Sequence, residues 1–296
     1  MILGIDLGNF SVKTSEKIRF ISKISERETF DEKNTFSIDG VKYTVEDGEF
    51  VTDWNKSKKE NTIPLLYYAI AKSTEDNLNQ IVLGLPIQQY KKEKENLKAL
   101  IENNKIKEVV IENKTRNIFI TDVEIAPESA AAYYNLDLET KNKIGNKQLL
   151  IIDIGGRTSD ICLFKDKVIK EVKTIPVGML NIYQEIIDYV NTEYTESFKL
   201  EDGEVILREG LFLNGSYRDI SFIKPILLNN FNSIWKEVQL KFNPGLGYVL
   251  LTGGGSLTLG KAFKNRIGNN LIISENPLFD NSLGFKKVGE KLWLER

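Results

Sequence analysis

Ile2 to Leu7 is an almost unbroken apolar run that stops at Gly8-Asn9, the pattern of a buried strand entering a turn. Short alternating segments around Val12, over Lys17 to Ile24 and around Val41 to Val45 predict a meander of hairpins. Apolar residues at helical spacing then cover Pro64 to Lys72. Gln80 to Leu85 is a short apolar strand bounded by Gly84 and Pro86, and Lys91 to Glu102 is a polar, lysine-rich helix. Glu108 to Glu112 and Ile118 to Ile125 read as two further strands. Pro127 is suited to the first helical position and predicts a helix through Tyr134 that ends near Asn135. Asp137 to Gln148 is polar and reads as a linker.

The second half restarts the same pattern. Leu149 to Ile154 predicts a strand, Gly155-Gly156 a break, and Asp160 to Phe164 with Val168 to Thr174 a hairpin. Gly178 precedes a helix to about Tyr189, and Asn191 to Tyr217 reads as a small, charged, strand-like insertion. Ile220 to Lys241 is a long amphipathic helix whose stripe from Phe222 to Val238 reads as core packing. A strand at Gly247 to Thr252, a turn at Gly253-Gly254-Gly255, a helix over Leu257 to Ile267, a strand at Leu271 to Ile273 and a helix near Asn281 to Trp293 complete the chain. Aligning Ile5-Asp6-Leu7-Gly8 on Ile152-Asp153-Ile154-Gly155 brings Ser11 onto Thr158, with an offset of almost half the chain. Two related halves are expected.

Composition narrows the chemistry. The 296 residues suffice for about two domains. With 41% hydrophobic and 28% charged residues and no uninterrupted apolar segment approaching a span, the chain reads as soluble. Lys and Arg number 40 against 42 Asp and Glu, so no net field draws the chain onto nucleic acid or an anionic membrane. Histidine is absent and Cys162 is the single cysteine, which removes Ser-His-Asp and Cys-His catalysis, His-ligated zinc and disulfides within the chain. Carboxylates, Lys, hydroxyls, backbone amides and hard cations are what remain. The opening Met1 to Asp6 lacks the features of a signal peptide, and a cytoplasmic protein is expected.

Two segments suit phosphate. A strand ending in Asp-x-Gly and turning at once into a second strand presents successive backbone N–H groups as an anion nest, and glycine lets the backbone approach the oxygens. The strand-end aspartate offers a hard oxygen toward hydrated Mg²⁺. These segments are Asp6 to Lys13, with Lys13 adding positive charge, and Asp153 to Asp160. Tyr248 to Ser256, a strand running into three glycines, suits close approach to an adenosine; a plain strand-to-helix turn is the alternative. Thr258 breaks a dinucleotide fingerprint there, and Ala262 cannot supply the Mg²⁺-binding hydroxyl of a P-loop. Glu128 follows Pro127, where it either stabilises a helix dipole or orients water at a phosphate. The lysine-rich stretches Asn55 to Glu60 and Lys91 to Lys98 read as solvated faces.

These elements, in this order, resemble the actin, sugar-kinase and heat-shock-chaperone ATPase superfamily. Asn281-Ser282-Leu283-Gly284 is similar to its second connecting helix. Asn276-Pro277, Gly284-Phe285 and Pro127-Glu128-Ser129 most resemble the ParM-like plasmid-segregation actins. The resemblance implies an α/β fold of two duplicated actin-like (ribonuclease-H-like) domains with a nucleotide cleft between them. The first would cover residues 1–145, with a C-terminal helix at about 280–296 packing back on it; the second would cover 146–280, with the insertion at about 191–217. It also implies Asp6 and Asp153 on Mg²⁺, Gly8, Asn9, Ser11, Lys13, Gly155, Gly156 and Thr158 on phosphates, and Glu128 positioning water. Gly178 would lie near the ribose, Gly253, Gly254 and Gly255 near the nucleoside, and Glu204 or Arg208 beside the base. Phe10 and Arg157 depart from the small residues usual at their places. The implied activity is ATP- or GTP-dependent polymerisation, with an adaptor protein linking the filament to centromere-like plasmid DNA and no direct nucleic-acid or membrane contact. The alternatives are a small-molecule kinase of the same fold, with Asp160 or Asp188 as acceptor base, and a membrane-tethered cell-shape actin, whose basic terminal helix is not evident in Lys291 to Arg296.

Overall fold

The computed structural model describes residues 1–27, 34–51, 53 and 55–295. In the first half, strands β1 (Ile2–Leu7), β2 (Ser11–Thr14), β3 (Arg19–Ile21), β4 (Ile24–Ser25), β5 (Thr35–Ile38) and β6 (Val41–Val45) precede helix α1 (Thr62–Ser73). Then come β7 (Leu78–Leu85), α2 (Ile87–Glu102), β8 (Ile106–Ile111), β9 (Lys114–Pro127), α3 (Ala130–Asn135) and α4 (Leu138–Ile144). The second half holds β10 (Gln148–Ile154), β11 (Ser159–Lys165), β12 (Val168–Ile175), α5 (Met179–Tyr194), α6 (Asp202–Glu209), the hairpin β13 (Leu211–Leu213) and β14 (Ser216–Arg218), and α7 (Ile223–Lys241). It closes with β15 (Gly247–Thr252), α8 (Gly255–Ile267), β16 (Leu271–Ile273) and α9 (Asp280–Trp293).

Two mixed sheets carry this chain, and they repeat one topology. The first runs β3-β2-β1-β7-β9 and continues through β8-β5-β6-β4; the second runs β12-β11-β10-β15-β16. In each, the opening strand pairs antiparallel with the next strand and parallel with a later one. The registers of the two opening hairpins coincide: Asp6 stands opposite Lys13 and Leu7 opposite Val12, while Asp153 stands opposite Asp160 and Ile154 opposite Ser159. The repeat visible in sequence is thus a repeat in space. A central strand covered on both faces needs a continuous apolar run rather than the alternation of a half-exposed strand, and Leu149 to Ile152 is accordingly buried throughout.

The helices cover the sheets where their apolar faces dictate. α1 is buried from Leu65 to Ile70, whereas α2 buries Leu97 and Ile101 and leaves Lys91 and Lys92 exposed. In α7, Phe231, Ile234, Trp235 and Val238 enter the core of the second half, with Phe222, Ile226 and Leu227 partly buried against it. Cys162 is fully buried, a small hydrophobe, with its thiol pushed up to about 12 by burial and by Asp160. α9 returns to the first half, where Phe285 packs with Val82, Ala126 and Ala131. That approach is so close that a Cβ on Gly284 would collide with the Ala131 carbonyl, and one on Gly4 with the Ser282 carbonyl. Arg296 lies outside the described residues.

Three elements differ from the sequence expectation. Pro127 does not open a helix: it ends β9, paired in register with Leu85, and α3 starts only at Ala130 after Ser129 takes a left-handed φ of 59°. The linker Asp137 to Gln148 contains α4, capped by Asp137, whose carboxylate accepts from the Thr140 N–H at 2.6 Å; one buried residue, Ile144, gave too weak a period to read. The insertion is mainly helical, because α5 runs on to Tyr194 and α6 docks through Gly203 and Ile206, and only its end is the β13–β14 hairpin. Gly284→Ala is expected to cost about 1–3 kcal/mol and lower the thermal midpoint by about 2–10 °C, measured by calorimetry, since the backbone of α3 cannot yield as a side chain would.

Candidate nucleotide cleft

The two hairpins face each other, and the carboxylates at their strand ends meet between the sheets. Asp6 is next to last in β1 and Asp153 next to last in β10, each 7% exposed. Glu128 arrives from the turn after β9, and Asp160 from the first residues of β11. A small, polar cavity of about 50 Å³ is lined by these four carboxylates, by Gly8, Asn9 and Lys13 of the first loop, and by Gly155, Gly156 and Thr158 of the second. Beside it opens a cavity of about 560 Å³, bounded by Met179, Tyr183, Leu227 and Leu257 on apolar sides and by Ser11, Lys13, Arg19, Glu204 and Arg208 on polar ones. Gly155, Gly156 and Gly254 line both. Gly178 and Gly255 line neither: Gly178 presses on the backbone of Gly156, and Gly255 on the side chain of Ile154, so both fix how α5 and α8 seat against the second loop.

Glycine is demanded within this lining. Gly253 has φ of +78°, and a Cβ there would collide with the Asp153 carboxylate. At Gly156 an added Cβ would stand 2.6 Å from Phe10 Cβ. Phe10, the bulky residue at the tip of the first loop, crosses the cleft and joins the core of the second half, 5.4 Å from the Tyr183 ring and 5.7 Å from Phe50. Two ion pairs run alongside: Arg19 donates to both Glu204 oxygens at 2.8 and 2.9 Å, and Lys23 to Glu201 at 2.6 Å. Asn281, at the start of α9, donates to Asp153 at 2.8 Å while its carbonyl accepts from the Ser129 N–H at 3.0 Å. It thereby ties the two halves at the back of the cleft.

The stretch Asn55 to Glu60 is the main correction to the sequence reading, for it is not a solvated face. Lys56 is buried, ion-paired with Glu128, donates to the Gly84 carbonyl at 3.0 Å and stands 3.8 Å from Asp6. Lys59 donates to the Asn9 side chain at 2.6 Å. No periodicity could have revealed them, because they sit on a turn whose direction is set by the fold. Lys91 to Lys98, by contrast, is largely solvated. Asp188 is exposed on α5 and accepts from Gln184, outside both cavities, so of the two acceptor-base candidates only Asp160 reaches the cleft.

Concentrating carboxylates here distorts their protonation. Burial, with Asp160, Asp6 and Glu128 nearby, pushes Asp153 up to about 8 against the hydrogen bond from Asn281. Burial and Glu128 push Asp160 up to about 7 against hydrogen bonds from Thr174 and Thr158. Burial likewise raises Glu128, opposed by Lys56. Burial alone would depress Lys56, but Glu128 and Asp6 overcome it and its ammonium lies above the usual value. Lys59 falls to about 8 through burial and the neighbouring Lys56 and Arg157. Such an excess of buried negative charge favours a bound cation. Among the described residues no three carboxylates close on a point as direct metal ligands. Asp6 and Asp153 therefore fit a cation that keeps its waters, as Mg²⁺ does.

Comparison with known proteins agrees with this architecture. Residues 4–130 match the family described as Actin like proteins N terminal domain. The chain is similar to a 15-stranded ParM filament from Clostridium botulinum, with a TM-score of 0.85 and 21% identity over 98% of this chain and 99% of that one. It is also similar to an archaeal actin homolog in complex with ADP, with a TM-score of 0.83 and 20% identity over 98% and 99% of the two chains. The Alp12 filament structure gives 0.70 and 22% over 99% and 98%. No curated protein matches in sequence. The chain thus has the two-domain actin fold, and its first part is similar to an actin-like protein N-terminal domain. No helix among the described residues is long and apolar enough to cross a membrane.

A raised carboxyl binds its proton in the folded state while the unfolded chain, with an ordinary value of 3.8, has released it. The metal-free protein should therefore lose stability as pH rises from about 4 to about 8. Asp153→Asn is expected to raise the thermal midpoint at pH 8 by several degrees, about 2–4 °C per kcal/mol recovered, and by clearly less at pH 5. Scanning calorimetry in chelator-treated buffer at both pH values checks this; an equal shift at both would contradict it.

Proposed function

We propose that this chain is a polymerising actin-like NTPase, which binds a nucleoside triphosphate with Mg²⁺ in the cleft and assembles into filaments. The observation that carries this reading is the pair of hairpins in one register, facing each other across a cleft that gathers Asp6, Asp153 and Glu128. Backbone N–H groups of Gly8, Asn9 and Gly156, the hydroxyls of Ser11 and Thr158, and the Lys13 ammonium would contact the phosphates, with Gly155, whose N–H closes the loop on the Thr158 carbonyl, lining their approach. The larger cavity would take the nucleoside, with Gly253 and Gly254 close to it and Glu204 and Arg208 at its edge. Asp6 and Asp153 would hold Mg²⁺ through its waters, and the cation would offset the phosphate charge. Glu128 orients a water toward the terminal phosphorus, and hydrolysis yields the diphosphate and orthophosphate. ATP and GTP are both candidates.

The ADP complex of the archaeal actin homolog supports a nucleotide in this fold, and the ParM and Alp12 filaments support assembly. Residues 1–145 with α9 and residues 146–280 would act as two domains whose closure favours the filament, and hydrolysis would weaken subunit contacts. In a plasmid-segregation role an adaptor protein would join the filament to centromere-like DNA in the cytoplasm.

Pelleting and light scattering with Mg²⁺ and ATP, GTP, ADP or no nucleotide test this directly. Nucleotide-dependent scattering is expected, absent in Asp153→Ala, and longer-lived in Glu128→Ala with phosphate release slowed at least about 100-fold. Nucleotide binding without assembly would refute the filament and direct attention to phosphoryl acceptors.

A further inference from the structure

Lys56 belongs to neither hairpin, yet it reaches the cleft from the turn before α1. Its side chain is 4% exposed, so its charge is held in place by the groups around it rather than by water. An ammonium has three donors. One serves the Glu128 carboxylate and one the Gly84 carbonyl, while the nearest Asp6 oxygen, at 3.8 Å, is beyond hydrogen-bond reach. Lys56 lines the same small cavity as the glycines of both loops, and Lys59, one turn on, engages Asn9 of the first loop. As arranged, the Lys56 ammonium occupies one oxygen of the Glu128 carboxylate, and its charge opposes proton uptake there.

Resting on the nucleotide reading above, we propose that Lys56 is the terminal-phosphate sensor of this cleft: it moves its ammonium from Glu128 to the third phosphate of a triphosphate and so frees Glu128 for water. A diphosphate leaves that anion out, and Lys56 stays on Glu128. The same exchange couples recognition to hydrolysis, since the carboxylate is relieved of the opposing ammonium when the bond to be cleaved is present. The Gly84 carbonyl keeps the lysine anchored while its other partner changes.

Equilibrium titration with Mg²⁺ and either ADP or a slowly hydrolysed ATP analogue, and the guanosine pair in parallel, tests this by the ratio of the two affinities. Lys56→Met is expected to weaken the triphosphate analogue about 10–100-fold and the diphosphate less than about 3-fold. Because Lys56→Met strands the Glu128 charge, the double variant Lys56→Met/Glu128→Gln is compared with Glu128→Gln alone; the same selective loss is expected there. Equal weakening of both nucleotides in the double variant, or no change in either, would overturn the assignment to Lys56 while leaving the nucleotide cleft intact. Failure of the unsubstituted protein to bind any of these nucleotides would overturn both.

Discussion

The structure is organised around an electrostatic imbalance. Four carboxylates, Asp6, Glu128, Asp153 and Asp160, line one small cavity, where bulk water is too scarce to screen them. Lys56, Lys13 and the side chains of Asn281, Thr158 and Thr174 offset part of that charge. What they leave is repulsion, visible in the raised carboxyls of Asp153 and Asp160, and an incentive to take up cations. Under the proposed function the glycines of both loops would take up the anionic partner, and a metal and a phosphate chain would complete each other here. The duplicated fold accounts for how such an arrangement arises: the same hairpin, used twice in the same register, brings two strand-end aspartates face to face.

Because the charges come from both halves, the fold must hold the halves together across the cavity that they line. It does so with packing at the mouth and hydrogen bonds at the back. Phe10 surrenders the usual small tip of the first loop to enter the other core, and Gly156 is glycine because Phe10 lies there. The Arg19–Glu204 and Lys23–Glu201 pairs span the same edge, and Arg19 and Glu204 also bound the larger cavity. Asn281 joins Asp153 to the Ser129 backbone, so any shift at the second aspartate is felt at the turn that carries Glu128.

Much of this was legible in the chain. Continuous apolar runs mark β1, β10 and β15 because both faces of a central strand are buried, and Asp-x-Gly after such a run marks a loop whose backbone can approach a ligand. The spacing of Asp6 to Lys13 and of Asp153 to Asp160 already contained the shared register. Glu128 was legible as a cleft residue but not its setting: Pro127 satisfies a strand end as readily as a helix start, and only the pairing with Leu85 decides between them. α4 and α6 were obscured because each buries a single side chain, Ile144 and Ile206, too few for a period. Lys56 was invisible for a deeper reason. A lysine among lysines reads as solvated, and its burial follows from where a turn meets a cleft assembled by residues far away in the chain.

On the proposed function, the cleft between the two hairpins holds a nucleotide phosphate chain with Mg²⁺. A crystal structure grown with Mg²⁺ and a slowly hydrolysed triphosphate tests it most directly. Phosphates are expected between Gly8-Asn9 and Gly155-Gly156, the metal's waters on Asp6 and Asp153, and the base toward the cavity edged by Tyr183 and Arg208. A nucleotide bound elsewhere on the surface, or a cleft that stays empty at saturating concentration, would contradict it.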